Sequence, residues 1–275
     1  MWKAGYRNIA AEVSPWAANQ LEFIPAEKEP QIQGLWTKQQ ARDVHAVAER
    51  NANVLWGCDM EEAQPQFLIR EWATLNPTDV NLEKMLELAK GGYSRKLSPA
   101  LLELAQAVQG GGDAIVNGIS LRQNLVATLE IEKNRTGAET RMVAQNEREL
   151  LMKQQFLAHL RQDPSVGASS KVLLRFGRNH LHRGIDARGI STLGNFVAEF
   201  ALSQSQTIFN VGAFGAGGQE TLMGRNVNAD ERQDELAFAL LAEAAKYPAT
   251  LYDPLLHQQL TKPTNMENST CNWNH

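Results

Sequence analysis

Five short apolar runs, each bounded by turn residues, recur along the chain and predict buried strands. They are Asn8–Val13, Asn53–Cys58, Lys171–Phe176, Thr207–Val211 and Thr250–Tyr252. Apolar runs of this length are typical of strands that are covered on both faces of a sheet. The stretches between them are far longer than hairpin loops, so crossover connections are expected. The pattern predicts an α/β fold with a mostly parallel central sheet flanked by helices.

The longest interval between predicted strands, about residues 61–161, follows a helical pattern almost throughout. Helices are predicted within it at Pro99–Val108, Ala114–Glu132 and Glu139–Arg161. We therefore predict one α/β domain over residues 1–260 that carries a large helical insertion at 61–161. The polar segment 261–275 is predicted to be a loose tail.

Composition and charge narrow the class of protein. The chain has 275 residues, 43% of them hydrophobic and 21% charged, which is the balance of a globular, enzyme-sized protein. A formal net charge of -4 offers no basic excess for a phosphate backbone, so no nucleic-acid partner is expected. No apolar run reaches about 18 residues, so no membrane span is predicted. Cys58 and Cys271 show neither metal-ligand spacing nor a disulfide framework.

The first residues do not follow the pattern of a secretion signal. Met1–Tyr6 lacks a basic stretch followed by an apolar core and a small-residue cleavage site. Arg7–Val13 is instead typical of a strand, so we expect the chain to begin inside a fold element, with further sequence upstream. If further sequence precedes Met1, a periplasmic or secreted location is consistent with the chain. The sequence determines neither the compartment nor the oligomeric state.

Polar residues follow three of the predicted strands at their carboxyl ends. Glu12 closes the first strand, Asp59 follows the second, and the third runs through Arg175 into Asn179 and His180. Ligands of open α/β sheets bind outside the carboxyl ends of the strands. We therefore expect Glu12, Asp59 and His180 to approach one another at one edge of the sheet. The alternative is that each is an ordinary cap or surface residue.

His180 is the strongest single candidate, because it follows a glycine-containing turn directly after a buried strand. An imidazole in that place can act as base, acid or ligand, although a loop histidine bonded to backbone is the alternative. Arg148, Met152 and Gln155 are spaced by four and three residues and share one helix face. An arginine there can clamp a carboxylate or phosphate, whereas an exposed helix arginine is usually only solvated.

Common catalytic markers are missing from the sequence. The glycines of segment 212–218 match neither a dinucleotide fingerprint nor a Walker motif, so a flexible loop is the preferred interpretation. No Gly-x-Ser-x-Gly elbow, His-Glu-x-x-His pair or Cys-x-x-Cys pair occurs. The usual serine-hydrolase, zinc-protease and redox sites are therefore not indicated.

Several short motifs, taken in chain order, resemble the erythromycin-esterase-like proteins and their ChaN-like and Tiki/TraB relatives. Gly5–Glu12 resembles the family strand that ends in a glutamate, and Leu55–Asp59 resembles its Trp-Gly-x-Asp strand. Arg148–Phe156 is similar to the family helix Arg-Asp/Glu-x-x-Met-x-x-Asn. Val172–His180 resembles the strand before a site histidine, and Thr250–Leu255 the closing Asp-x-x-Pro-Leu strand. The resemblance spans nearly the whole chain.

The resemblance implies a hydrolase in which a histidine activates water for attack on an ester or similar acyl bond of a small molecule. His180 would act as base or electrophile, Glu12 would orient it or share its proton, and Arg148 would stabilise developing negative charge. We assign Asp59, Asn179 and Arg175 as candidate substrate-binding residues. No metal ligand is assigned.

The sequence departs from the family pattern in three places. Gly177 stands where esterase members carry a histidine, and Gln155 stands where they carry an asparagine. The family's Gly-Glu-x-x-His strand would precede Met1, so weak ester hydrolysis is expected from the chain as given. Two alternatives stay open: a ChaN-like uptake protein that binds haem iron through a histidine or tyrosine and cleaves no bond, and an inactive remnant.

Overall fold

A computed structural model describes residues 5–23, 38–49, 53–61, 64–109, 111–163, 171–186, 188–209, 219–222 and 225–228. The chain divides into two compact units, Met1–Val211 and Gly212–His275. In the first unit the strands and helices follow in the order β1 (Tyr6–Ala11), α1 (Pro15–Phe23), α2 (Lys38–Ala48), β2 (Leu55–Gly57), α3 (Pro65–Leu75), α4 (Val80–Ala89), α5 (Ser98–Ala107), β3 (Ile115–Val116), β4 (Ile119–Ser120), α6 (Leu121–Asn134), α7 (Arg141–Gln162), β5 (Lys171–Arg175) and α8 (Leu193–Ser203).

The central sheet has the strand order β2-β1-β5, and both strand pairs are parallel. Ala11, at the end of β1, is in register with Gly57 on one side and Arg175 on the other. The carboxyl ends of all three strands therefore lie at one edge of the sheet. This confirms the predicted α/β fold and the positions of the first three predicted strands. The prediction that all three are buried is wrong for β5, in which no residue is buried.

The connection from β2 to β5 contains α3 to α7, which confirms the predicted helical insertion. The predicted helix Ala114–Glu132 is wrong at its start, because Ile115–Ser120 forms the antiparallel hairpin β3-β4. Asn117 and Gly118 both have positive φ angles, 47° and 73°, which an Asn-Gly hairpin turn adopts readily. Ser120 then caps α6 by accepting a hydrogen bond from the backbone N–H of Gln123.

The fourth predicted strand, Thr207–Val211, is not formed over residues 207–209, which have no regular structure. The carbonyl of Ile208 accepts a hydrogen bond from the guanidinium of Arg183 (2.8 Å). Residues 210 and 211, the predicted strand at 250–252, the glycines at 212–218 and the tail lie outside the described residues.

Two apolar clusters cover the sheet. The larger one lies under the helical insertion, where Trp16 stacks on Phe67 with ring centroids 5.3 Å apart. The second joins β2 to α7 and α8 and includes Trp56, whose ring stacks on His159 at 5.4 Å. Burial lowers the pKa of His159 to about 4, despite a hydrogen bond to the Gly57 carbonyl and the charge of Asp163. This histidine is therefore a neutral part of the core at pH 7.

Cys58 is buried in the second cluster and free, as expected from its place in an apolar strand, and burial raises the pKa of its thiol. Cys271 lies outside the described residues. Among the helices of the described segments, none combines the length and the apolar character needed to cross a bilayer.

In the second unit the described residues form one antiparallel hairpin, β6 (Gln219–Leu222) and β7 (Arg225–Asn228). The prediction of a single domain over residues 1–260 stays a prediction.

The end of β2 packs directly on the backbone that leads into α1. A Cβ added at Gly57 would lie 2.3 Å from the carbonyl oxygen of Ser14 and 2.6 Å from the Cα of Pro15. Both contacts are with backbone, which cannot rotate away. The glycine is therefore required for β2 and α1 to pack at this distance.

We expect Gly57→Ala to lower the free energy of unfolding by about 1–3 kcal/mol, because one methyl group overpacks a rigid contact. Gly91→Ala is the matched control, since a Cβ there meets nothing within 4 Å. The control is expected to change the free energy by less than about 0.5 kcal/mol. Urea denaturation measures both variants, and equal values would contradict the packing argument.

Candidate active site

The backbone holds the predicted strand-end residues in fixed positions beyond the sheet. The N–H of Glu12 donates to the Arg175 carbonyl (3.1 Å), which extends the β1-β5 pairing by one residue. The N–H of Asp59 donates to the Val13 carbonyl (2.9 Å), which extends the pairing of β1 with β2. Glu12 and Asp59 thus leave the same edge of the sheet from neighbouring strands.

The carboxylate of Glu12 is the meeting point of three chain segments. Its Oε1 accepts from Nη2 of Arg148 on α7 (3.0 Å) and lies 3.2 Å from Nε2 of His180. Its Oε2 accepts from the backbone N–H of Gly177 (2.6 Å). Gly177, which stands where the resemblance described above places a histidine, therefore contributes a backbone donor.

Arg148 also binds Asp59 in a two-point contact. Its Nε donates to Oδ1 (2.9 Å) and its Nη2 donates to Oδ2 of the same carboxylate. The Met60 N–H donates to Asp59 Oδ1 (2.8 Å), so the carboxylate is itself oriented. Two-point pairing with a carboxylate fixes the plane of the guanidinium. Asp59 thereby sets the direction from which Arg148 reaches Glu12.

His180 lies in a short 3-10 turn, Arg178–His180, directly after β5. Its Nε2 faces Glu12, and its Nδ1 lies 2.5 Å from Oε1 of Glu149 on α7. The side chain is only 7% exposed. Both ring nitrogens therefore have carboxylate partners, and the alternative of a loop histidine bonded to backbone does not apply.

Glu149 is the residue of this site that the sequence patterns did not indicate. It lies within the helix motif Arg148–Phe156, but its neighbour Arg148 points about 100° away from it around the helix. Its side chain is fully buried, and its Oε2 accepts from the N–H of Leu193 at the start of α8 (2.9 Å). No local signal distinguishes Glu149, because α7 is rich in charged and amide side chains along its whole length. We call Glu12, Asp59, Arg148, Glu149 and His180 the carboxyl-edge cluster.

The electrostatics of the carboxyl-edge cluster favour a charged histidine beside a charged glutamate. Burial alone would raise the pKa of Glu12, but His180, the Gly177 N–H and Arg148 outweigh it and lower that pKa to about 2. Burial alone would lower the pKa of His180, but hydrogen bonds to Glu12 and Glu149 and the charge of Glu12 raise it to about 9, against the charge of Arg148. At pH 7 the histidine is an imidazolium between two carboxylates.

The remaining candidates lie around the carboxyl-edge cluster rather than in it. Asn179 is exposed on the turn that carries His180. Arg175 is half-buried, and burial lowers the pKa of its guanidinium although the nearby charge of Glu12 opposes the shift. Gln155 is buried on the same face of α7 as Met152, and neither polar atom of its side chain has a hydrogen-bond partner within the described part of the chain.

The carboxyl-edge cluster does not fit a haem or metal ligand set. Both nitrogens of His180 are engaged by carboxylates, so neither presents a free lone pair to iron. Within the described segments, no group of three or more His, Cys, Asp or Glu side chains could hold a metal ion. The contacts of His180 are therefore those of a histidine paired with carboxylates rather than of one presented to iron.

Two open grooves lie elsewhere, on the helical insertion. One, of about 590 Å³, runs along α5 and α6 and is lined in part by Gln106, Arg122 and Glu130. The other, of about 540 Å³, lies between α3 and α4. Neither contains a residue of the carboxyl-edge cluster. Glu12 and Arg148 have the most exposed side chains of the cluster, at 14% and 11%.

Comparison with known proteins gives one structural similarity. No model of a known protein family matches the chain, and no curated protein matches its sequence. The structure is similar to that of a mutant erythromycin esterase, EreC, in its open conformation, with a TM-score of 0.46 and 10% sequence identity. The match covers 70% of this chain and 59% of that chain, so this chain spans less than two thirds of EreC. At this identity the similarity concerns the fold.

The charge state of His180 makes stability depend on pH. Because its pKa is raised to about 9 in the folded protein, its stabilising effect is complete below the ordinary value of 6.5 and is lost as pH rises through 9. We expect the wild-type free energy of unfolding to fall by on the order of 2 kcal/mol more than that of His180→Gln between pH 6.5 and 9.5.

His182→Gln is the matched control for this measurement, because His182 is exposed two residues along the same loop. Urea titrations at the two pH values give the difference. The same alkaline loss in His180→Gln as in wild type would show that His180 is not held as an imidazolium.

Proposed function

We propose that the carboxyl-edge cluster is the active site of a hydrolase that adds water to an ester or similar acyl bond of a small molecule. The observation that carries the proposal is the contact of His180 with Glu12 and Glu149 at the carboxyl edge of a parallel sheet. Catalytic groups of open α/β folds collect at that edge. A histidine held in one orientation by carboxylates is a group suited to proton transfer.

The charge state of His180 supports the role of electrophile rather than that of base. An imidazolium with a pKa of about 9 is a proton donor and electrophile at neutral pH rather than a base. As water adds to the acyl carbon, the Nε2 proton of His180 passes to the departing alkoxide oxygen, and the carbon–oxygen bond breaks. The proton released by the water returns to the Glu12–His180 pair. The products are an acid and an alcohol, and the pair ends in its starting state.

Arg148 and Asp59 act mainly by positioning in this proposal. Both oxygens of Asp59 contact Arg148, which supports orientation of the arginine rather than substrate contact. Arg148 in turn holds Glu12 and keeps a positive charge beside the reacting groups, where it can stabilise developing negative charge. Asn179, exposed on the turn that carries His180, and Arg175, half-buried at the end of β5, are the proposed substrate-binding residues.

Two features weigh against the alternatives. Binding of haem iron by His180 requires a free ring nitrogen, and both nitrogens of His180 have carboxylate partners. A tyrosine ligand is the other form of this alternative. In an inactive remnant, the five largely buried charged side chains would cost desolvation free energy and serve no function. Apolar side chains at the same positions would stabilise the fold as well or better. The carboxyl-edge cluster is therefore better explained by chemistry than by stability.

The proposal is tested by assaying p-nitrophenyl esters and a macrolide lactone. We expect His180→Gln and Glu12→Gln to reduce kcat/KM by about 10²–10⁴-fold, because each removes a member of the proton-transfer pair. The exposed His182→Gln variant is the matched control and is expected to keep wild-type activity. Activity should decline as pH rises through about 9, where His180 loses its proton.

Turnover that survives His180→Gln would refute the assignment of the catalytic histidine. A complete lack of hydrolysis by folded wild-type protein, with a Soret shift on adding hemin that His180→Gln abolishes, would favour the haem-binding alternative instead.

A further inference from the structure

We infer that Glu149 is the positioning residue for His180: it fixes the proton on Nδ1 and leaves Nε2 as the atom that exchanges protons with substrate. This inference rests on the proposed hydrolase function and assigns a role to a side chain within the described α7. It starts from the geometry of one carboxylate that joins the histidine to the start of α8.

The carboxylate of Glu149 uses each oxygen for a different partner. Oε1 lies 2.5 Å from His180 Nδ1, and Oε2 accepts from the Leu193 N–H at 2.9 Å. Rotation of the carboxylate would break one of these bonds, and the side chain is fully buried, so water cannot replace the lost partner. The direction of the Nδ1 hydrogen bond is therefore fixed by the backbone of α8.

Glu149 and Glu12 differ in their access to solvent, and this difference decides which proton His180 gives up. The side chain of Glu12 is 14% exposed, whereas that of Glu149 is 0% exposed. A proton that left Nδ1 would leave the buried carboxylate facing a nitrogen lone pair, which is costly where water is excluded. Loss of the proton from Nε2 leaves Glu149 with its donor, so Nε2 is the exchanging atom.

The loop between His180 and α8 is closed around this carboxylate. Thr192 caps α8 through the Asn195 N–H and donates its hydroxyl proton to the His182 carbonyl (2.7 Å). A Cβ added at Gly194 would lie 2.5 Å from the backbone of Leu181, so the two ends of the loop are in direct contact. His180 is thus positioned relative to α7 and α8 together, with Glu149 between them.

Other charged groups lie near the contact between Glu149 and His180. Glu12 faces His180 from the end of β1, and Arg148, on α7, opposes its protonation. Lys153, one turn along α7, donates to the Ser191 carbonyl and lies within the field of Glu149 and Glu199. None of these groups contacts Nδ1 of His180, and within the described segments Glu149 is the hydrogen-bond partner of that atom.

The test is Glu149→Gln, with the imidazole of His180 followed by ¹⁵N NMR across a pH titration in the full chain. We expect the pKa of His180 to fall by about one unit or more, since one of two carboxylate partners is removed, and the neutral ring to populate both tautomers. In the ester assay we expect kcat to fall about 10–100-fold, the usual effect of losing such an orienting partner, with KM changed far less.

Glu147→Gln is the matched control, because Glu147 lies two residues earlier on α7 and its carboxylate accepts from Asn134 instead. It should leave the His180 titration and kcat unchanged. Should Glu149→Gln fail to fold, Glu149→Asp replaces it, since the shorter side chain keeps the charge but draws it away from Nδ1. The pKa of His180 is expected to fall in Glu149→Asp as well.

The two proposals fail in different ways. An unchanged pKa and a single unchanged tautomer of His180 in Glu149→Gln would overturn the role of Glu149, whatever the activity. A shifted titration, with no hydrolysis by wild type or variant, would uphold the positioning role and refute the proposed function.

Discussion

The bonding of one carboxylate determines how the site of this protein is built. Glu12 leaves the central strand of the sheet and binds a guanidinium from α7, an imidazole from the turn after β5 and a backbone N–H from the same turn. Because β1 is the middle strand of the described sheet, the backbone around Glu12 is bonded on both sides. Its own N–H donates to the Arg175 carbonyl, and the carbonyls of Ala11 and Val13 accept from the chain that follows β2. The positions of Arg148 and His180 depend on this anchor.

Charge balance explains why so many ionisable groups tolerate burial here. Three carboxylates, from Glu12, Asp59 and Glu149, surround the two cations of Arg148 and His180. Each of the three carboxylates also accepts a backbone N–H, from Gly177, Met60 and Leu193 respectively. Additional hydrogen bonds of this kind help to offset the desolvation cost of a buried ion pair. Removing one member would leave another buried and unpaired, so the carboxyl-edge cluster behaves as a unit.

Local patterns in the sequence were sufficient for much of the fold. The apolar runs that became β1, β2 and β5, and the long helical interval between the last two, follow from short-range periodicity. The hairpin at 115–120 was missed although its Asn-Gly turn is a local signal, because the helical pattern that follows was extended too far back. The convergence of Glu12, Asp59 and His180 could also be expected, since parallel strands present their carboxyl ends at one edge.

The sequence by itself determined the class of fold, the strand ends that carry polar residues and the candidates Glu12, Arg148 and His180. Only the tertiary structure decided their bonding, because the contacts join residues far apart in the chain, 136 positions in the case of Arg148 and Glu12. The role of Glu149 is the clearest example. Whether a helix residue faces solvent, core or a histidine depends on how the helix is rotated against its neighbours, and that rotation is set by packing against the sheet and α8 rather than by local propensity.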